Sequence, residues 1–349
     1  MKKQEVLIVG GGLAGICLAI HCIDKGHSVT LIDKGHNRSS VVAAGMINPL
    51  VFRRMTKSWR VDDFIPFAEN FYHTLEQRTA NTFFHPITIR RCIASEQERG
   101  FWEDRMKDDA FQAYVHPFDE EDNRVDSAFR PHGTGRVKHT AYVDAEVFMT
   151  ACKALITQHG EYIKATFDYG NFDAETVSYG NKTYDTAIFC EGSESVNNPL
   201  FSKLPVEATK GEILTIKSHT LPENESLNRK CFCLPVGEKT FRVGATYVWN
   251  TNNDLPTEEG KQVLVSNLRF LTEEKVEVLG HRAGVRPTTL DRRPIMGAHL
   301  EFPNVYIFNG LGAKGYLMGP LLAKELVDHI FEGKPLDREV GLGRFFKNG

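Results

Sequence analysis

A chain of 349 residues, 41% hydrophobic and 25% charged, can bury two cores and has the balance of an ordinary globular protein. Its formal charge of −3 excludes a broadly basic surface for nucleic acid or anionic membrane. Seven scattered cysteines, with only a C-x-C pair at Cys231 and Cys233, exclude a disulfide framework and a zinc site. They are expected to be reduced and mostly buried, in a cytoplasmic protein.

Met1-Lys2-Lys3 and the apolar stretch from Val6 to Ile23 have the outline of a signal peptide. Three glycines interrupt the stretch and no small-residue cleavage site follows, so it reads as the start of a fold. No segment reaches the ~18 uninterrupted apolar residues that span a bilayer, and a soluble chain is expected. Residues 5–9 (EVLIV) are a strand, followed by Gly10-Gly11-Gly12 and by helical spacing over 13–25 that stops at Gly26. Residues 28–33 (SVTLID) are the next strand, which makes a βαβ beginning.

Residues 36–60 read as loop, holding Ala43-Ala44-Gly45, Asn48-Pro49 and a basic run of Arg53, Arg54, Lys57 and Arg60. The spacing of Phe64, Phe67, Ala68, Phe71, Tyr72 and Leu75 predicts a helix over 61–79. Residues 85–135 mix short β-like runs with acidic, turn-rich sequence. Residues 143–159 predict an amphipathic helix with Asp144 near its N-terminus. Two strands then bracket a hairpin-like region, and 185–190 (DTAIFC) is a buried-type strand ending at Glu191-Gly192. Residues 210–217, 231–236 and 240–247 alternate like antiparallel strands. A helix is expected over 257–272, a strand over 304–308, a glycine turn over 309–315, and a last helix over 318–332 ending at Gly333. The dinucleotide-like pieces lie at the start, middle and end of the chain, so two interleaved domains are expected. The first comprises 1–84, 136–205 and 280–349, and the second 85–135 and 206–279.

The most specific signal is Gly10-x-Gly12-x-x-Gly15 with Asp33 closing the second strand. The first glycine permits a tight turn, the second lets backbone approach a pyrophosphate, and the third lets helix and strand pack closely. The helix N-terminus meets the pyrophosphate charge, and the acid accepts ribose hydroxyls. A carboxylate at Asp33 disfavours a 2′-phosphorylated nucleotide. An NAD-dependent dehydrogenase is disfavoured because residues 36–135 do not continue as a second βαβ series.

Beyond the fingerprint the chain resembles the D-amino acid oxidase and glycine oxidase family of FAD enzymes. The matching segments are 43–49 (AAGMINP), 210–212 (KGE), 242–246 (RVGAT), 284–297 (GVRPTTLDRRPIMG) and 309–316 (NGLGAKGY), in the family's order. The resemblance implies an α/β fold, with a Rossmann-like FAD-binding domain of glutathione-reductase type. Interleaved with it would be a mainly antiparallel-sheet substrate domain. It implies a cofactor set of Gly10, Gly12, Leu13, Ala14, Gly15, Asp33, Lys34, Ala43, Ala44, Gly45, Met46, Gly192, Arg286, Gly312, Ala313, Lys314, Gly315, Tyr316 and Leu317. Neither 41–45 nor 287–289 offers a His or Cys for attachment, so the FAD is expected to be noncovalent.

The same resemblance makes Arg286 the partner of a substrate carboxylate, which a planar guanidinium can bind through both oxygens. The alternative is a structural ion pair, for instance with Asp291; Arg282 is a weaker candidate. Lys314 either adds positive charge beside the flavin or faces solvent. Tyr247 and Tyr316 are each either a substrate wall or packing. His21, His281 and His299 are isolated and read as structural or solvated. No metal spacing or Ser-His-Asp set is present. The implied reaction is oxidation of a small amine or amino acid by hydride transfer to flavin N5, with O₂ or another acceptor reoxidising the flavin. Segment 45–50 and the 312–315 turn also resemble the oxidase half of the enzyme acting on a carboxymethylaminomethyl group of tRNA wobble uridine. In that reading the basic run contacts phosphate. A flavin-bound protein without turnover is the third reading.

Overall fold

The computed structural model describes residues 2–35, 39–52, 55–117, 132–251 and 253–346. Glu5–Val9 leads through the glycine turn into helix Leu13–Asp24 and back along Ser28–Ile32, parallel to the first strand. This pair sits inside a six-stranded sheet. Its spatial order is Glu161–Ile163, Ser28–Ile32, Glu5–Val9, Thr186–Phe189, Val305–Asn309 and Ile295–Ala298. The first five strands run parallel and the last antiparallel.

Pleating divides each central strand between two cores. Val6 and Ile8 face a large helical core built with Leu13–Asp24, Val61–Thr79, Ala145–His159 and Gly315–Glu332. Leu7 and Val9 face a smaller one, with Phe167, Val177 and Phe189, under the three-stranded meander Phe172–Asp173, Ser178–Tyr179 and Lys182–Thr183. Burial on both faces explains the continuous apolar run of residues 5–9. The architecture is the expected one: a parallel dinucleotide sheet with helices on one side and an antiparallel ribbon on the other.

The second sheet has eight strands. Across it lie Val248–Trp249, Val206–Lys217, Thr240–Gly244, Cys231–Pro235, Glu225–Arg229, Thr88–Cys92 and Thr134–Val137, with Glu277–Thr289 also paired to Val206–Lys217. All pairs are antiparallel except Glu225–Arg229 with Thr88–Cys92. Helix Glu258–Leu268, capped by the Thr257 hydroxyl on Gly260 N–H, covers one face over Leu214, Ile216, Phe241 and Val243. The other face, carrying Ile213, Phe232 and Leu234, turns towards Ala44 and Met46 of the cofactor side.

Helices Val61–Thr79 and Ala145–His159 form where the spacing places them, the latter capped by Asp144. Other elements differ. Helix Glu96–Arg105 lies within the segment read as β-like and turn-rich; its apolar content is low, and its start is marked only by Ser95, which accepts from Glu98 N–H at 3.2 Å. The last helix begins at Gly315, three residues before the apolar periodicity, because a glycine turn leads directly into it. The expected strand over 240–247 ends at Gly244, and Val248–Trp249 resumes at the sheet edge. The expected boundary at 280 falls inside Glu277–Thr289, one continuous strand of the second sheet. Short elements, among them Ser39–Val42 and Met46–Ile47, replace the expected loop over 36–60.

Candidate functional site

A cleft of about 600 Å³ runs from the fingerprint turn, between the two sheets, to Tyr247, just before the edge strand Val248–Trp249. At its first end a Cβ on Gly10 (φ +102°) would lie 2.4 Å from Cys190 O, and one on Gly15 would lie 1.9 Å from Gly10 O. Only glycine allows the helix to seat there, with its N-terminus open to the cleft. Gly12 caps that helix without a side chain. Leu13 N–H donates to Ser40 Oγ at 3.0 Å.

Asp33 lines the same end. Its Oδ2 accepts from Tyr162 OH at 2.9 Å and Lys153 Nζ at 3.2 Å, which leaves Oδ1 free of both side chains. Burial alone would raise its pKa. The Lys153 charge and the hydrogen bonds from Tyr162 and Gly11 outweigh burial, so the carboxyl sits below its ordinary value and stays ionised. Lys34 is paired with Glu194 at 2.7 Å. Beside them Glu191 is half-buried, with Asn198 Nδ2 donating at 2.7 Å and Tyr169 OH also donating; desolvation raises its pKa.

Ala43, Ala44, Gly45 and Met46 form the middle wall. Gly45 has φ +69°, and a Cβ there would strike Val143 O at 1.9 Å. Opposite lie Gly192, whose carbonyl accepts from Asn309 Nδ2 at 2.8 Å, and the turn 310–314. Gly312 N–H donates to Pro287 O at 2.9 Å, which ties the turn to the arginine–proline segment. Helix Gly315–Glu332 starts here with no side-chain cap, so its first N–H groups and positive dipole end meet the cleft.

Every expected cofactor residue lines this cleft except Gly15 and Leu317. Gly15 acts by close packing, and Leu317 is buried in the helical core. Tyr316 lines the cleft with its body, but its hydroxyl donates to Ser40 O at 2.7 Å, and its own carbonyl accepts from Tyr72 OH at 2.7 Å. It fastens the segment around Ser40 rather than standing as a free wall.

Arg286 enters the far end from strand Glu277–Thr289. Its guanidinium lies 4.6 Å from the Tyr247 ring centroid, and Nη1 donates to Thr246 O at 3.4 Å. A Cβ on Gly211 would fall 1.9 Å from Nη2, so the absence of a side chain at 211 makes room for the group. Among the described residues no carboxylate is within ion-pair distance of it. Asp291, the expected structural partner, is taken by Arg344 at 2.8 Å. Burial without a counter-charge lowers the pKa of Arg286 relative to a free guanidinium. Arg282 is paired with Glu146. Tyr247 is 56% exposed, so its ring stands at the mouth of the cleft.

Lys314 departs from its solvent-facing reading. Its ammonium is enclosed and donates to Asn48 O at 2.8 Å, Leu50 O at 3.2 Å and Ser58 Oγ. It clamps the segment after the second loop onto the C-terminal turn, and burial brings its pKa down to about 8. His281, read as isolated, stands with Nε2 2.8 Å from Glu212 Oε2, out of line for a hydrogen bond. Glu212 accepts from Thr257 N–H and Oγ1, at 3.0 and 2.9 Å. In the basic run, Arg53 and Arg54 lie outside the described residues. Lys57 is paired with Asp62, and Arg60 with Asp63 and Glu325.

Several cleft residues had no sequence signal. Ser40, Asn228, Phe232, Thr166 and Phe167 reach the cleft through tertiary packing alone. Glu191 adjoins a noted strand end, but its burial depends on Tyr169 and Asn198 from separate segments.

A glycine fingerprint, an ionised acid at the end of the second strand, an uncapped second helix N-terminus and an uncompensated arginine around one cleft define a flavin-dependent oxidoreductase of the amine and amino acid type. The residues fit FAD: glycine cradles stand where a Cβ would fill the space, and two open helix N-termini suit a pyrophosphate and an electron-rich ring. The family model described as DAO, FAD dependent oxidoreductase, matches residues 5–329, and the chain belongs to that family. It is an FAD-binding flavoprotein enzyme.

Among relatives, the tRNA 5-methylaminomethyl-2-thiouridine biosynthesis bifunctional protein MnmC of Marinobacter nauticus is 23% identical over 99% of this chain. The chain spans 59% of that relative's length. Glycine oxidase of Bacillus licheniformis is 21% identical, over 97% of this chain and 95% of the relative. The crystal structure of glycine oxidase from Geobacillus kaustophilus superposes with TM-score 0.82 at 19% identity, covering 96% of each chain. Iminodiacetate oxidase from Chelativorans superposes at 0.77 and 19%, over 96% of this chain and 99% of its own. At such identity the superpositions establish the fold. Among the described residues no helix is long and apolar enough to cross a membrane.

Proposed function

We propose that this enzyme oxidises the C–N bond of a small amine or amino acid whose carboxylate is held by Arg286, with FAD bound noncovalently. The observation that carries the reading is the Arg286 guanidinium, enclosed in the cleft, stacked on Tyr247 and without a carboxylate partner among the described residues. A buried guanidinium left unpaired is costly, and a bidentate carboxylate ligand repays that cost. FAD supplies the hydride acceptor when bound. The protein supplies orientation: Arg286 anchors the carboxylate, Tyr247 walls one side, and the turn from Ala313 to Gly315 offers backbone N–H groups opposite. No side chain in the cleft is assigned as a base, since the substrate amine need only be neutral at the step.

The test is a visible spectrum of the purified protein, followed by anaerobic titration with glycine, sarcosine, proline and other D- and L-amino acids. Bleaching of bound flavin by one of them is expected. Arg286→Ala should raise KM for a carboxylate-bearing substrate by about 2–5 kcal/mol equivalent, and an unchanged KM would overturn the carboxylate role.

A second reading takes the carboxymethylaminomethyl group of a modified tRNA wobble uridine as substrate, favoured by the likeness to the MnmC proteins along nearly the whole chain. Against it, Lys57 and Arg60 are committed to intramolecular ion pairs. Flavin that no small amine bleaches, but that modified tRNA does, would decide for this reading.

A further inference from the structure

The cleft holds a second fixed donor, on the same sheet wall as Arg286 but at its other end. Asn228, on strand Glu225–Arg229, lines the cleft, and its Oδ1 accepts from Arg91 Nη1 at 2.7 Å. Arg91 is itself held by both oxygens of Glu98, Nη2 donating at 3.1 Å, and the pair is almost wholly buried. Arginine has only donors, so the amide cannot be flipped: its oxygen must face Arg91 and its NH₂ must point elsewhere. Among the described residues Asn228 Nδ2 has no partner. Between it and Arg286 the wall is apolar or bare, made of Phe232, Ile213 and Gly211.

We infer that Asn228 is a specificity-determining residue whose amide N–H groups receive a second acceptor, a carboxylate or carbonyl, on an elongated amine substrate. The inference rests on Arg286 holding the first carboxylate. The register sets the length. The Arg286 guanidinium overlies Gly211 of strand Val206–Lys217. Asn228 stands opposite Phe232, Gly244 and Ile213 in turn, so it lies three strands across and two residues along from Gly211. Three steps of ~4.8 Å and an offset of about 7 Å along the strand separate the two positions by about 16 Å. Subtracting a hydrogen bond of roughly 3 Å at each end leaves about 10 Å between the substrate's two acceptor groups. Glycine or sarcosine engages one donor only. A substrate satisfying both carries its second acceptor several bonds beyond the oxidised carbon.

The test uses the FAD-loaded enzyme and unreactive ligands, read by perturbation of the flavin absorbance, so it does not depend on turnover. α,ω-Dicarboxylates from malonate to sebacate are titrated beside monocarboxylates of matched length. The expected result is a length optimum among the longer diacids, about tenfold tighter than the matched monocarboxylate. Asn228→Leu and Arg91→Met should erase that increment, and Arg91→Lys should retain it. No length optimum in the wild type overturns the inference, as does an optimum that survives Asn228→Leu. A third refuting result is an Asn228→Leu variant whose only changes are in FAD affinity and the unliganded flavin spectrum, which would place the amide against the cofactor. Arg286→Ala is read separately: monocarboxylate affinity that ignores it overturns the proposed carboxylate anchor, while the Asn228 increment is still measured on the diacids.

Discussion

Replacing Gly211 by alanine isolates the seat of Arg286 from the rest of the fold. A Cβ at this position would lie 1.9 Å from Arg286 Nη2, 2.2 Å from Cζ and 2.3 Å from Nη1. Ordinary contact begins near ~3.5 Å, so the guanidinium must move by about 1.5 Å. A bidentate pair tolerates no such shift without losing one of its two charge-assisted hydrogen bonds, which costs about 2 kcal/mol, or roughly thirtyfold in carboxylate affinity. The strand itself has no reason to suffer. Gly211 is not among the glycines at positive φ, and alanine in a strand interior is about 0.5–1 kcal/mol better than glycine. The expected signature is therefore a split: unreactive carboxylates bind far more weakly by flavin absorbance titration, while the thermal midpoint holds or rises. Carboxylate affinity within about twofold of wild type, with the fold intact, would refute the placement of the anchor over residue 211.

Asp33→Asn should weaken FAD binding to the apoprotein by about five- to twentyfold while leaving FMN almost unaffected, since FMN lacks the adenosine ribose; equal losses would argue for general damage. Lys314→Met should loosen the segment containing Asn48, Leu50 and Ser58, seen as faster amide exchange there. The Lys314 pKa, about 8, lies below the ~10.4 of a free lysine. Between those values the unfolded chain binds the extra proton, so this residue makes stability rise with pH, and urea unfolding should show that rise in the wild type but not in Lys314→Met. All seven cysteines are buried thiols outside any disulfide, and desolvation raises the pKa of Cys22 and Cys231 to about 12, so an aromatic disulfide reagent should label the folded protein only at the rate of its opening.

Local pattern carried the cofactor half of the site because its chemistry is backbone chemistry. Gly10, Gly15, Gly45 and Gly312 are written where a positive φ or a close approach disfavours a Cβ, and Asp33 follows at the distance one strand–helix–strand unit dictates. A short continuous apolar run and helical spacing likewise placed Glu5–Val9, Val61–Thr79 and Ala145–His159, since each has one sharply defined buried pattern. Helix Glu96–Arg105 escaped for the converse reason: of its ten residues only Trp102 is buried, so it has no stripe to read.

The substrate half was decided by tertiary structure. Whether Arg286 is paired depends on Asp291 finding Arg344, 53 positions along the chain, and whether Lys314 is solvated depends on Asn48, Leu50 and Ser58 closing around it from more than 250 positions away. The orientation of the Asn228 amide follows from an arginine on a strand 137 residues earlier. A side chain's charge, hydrogen-bonding capacity and preferred backbone belong to the residue and are legible one position at a time. Its partners, and so its ionisation and the direction in which it can act, are set by long-range contacts that exist only once the two sheets have closed on each other.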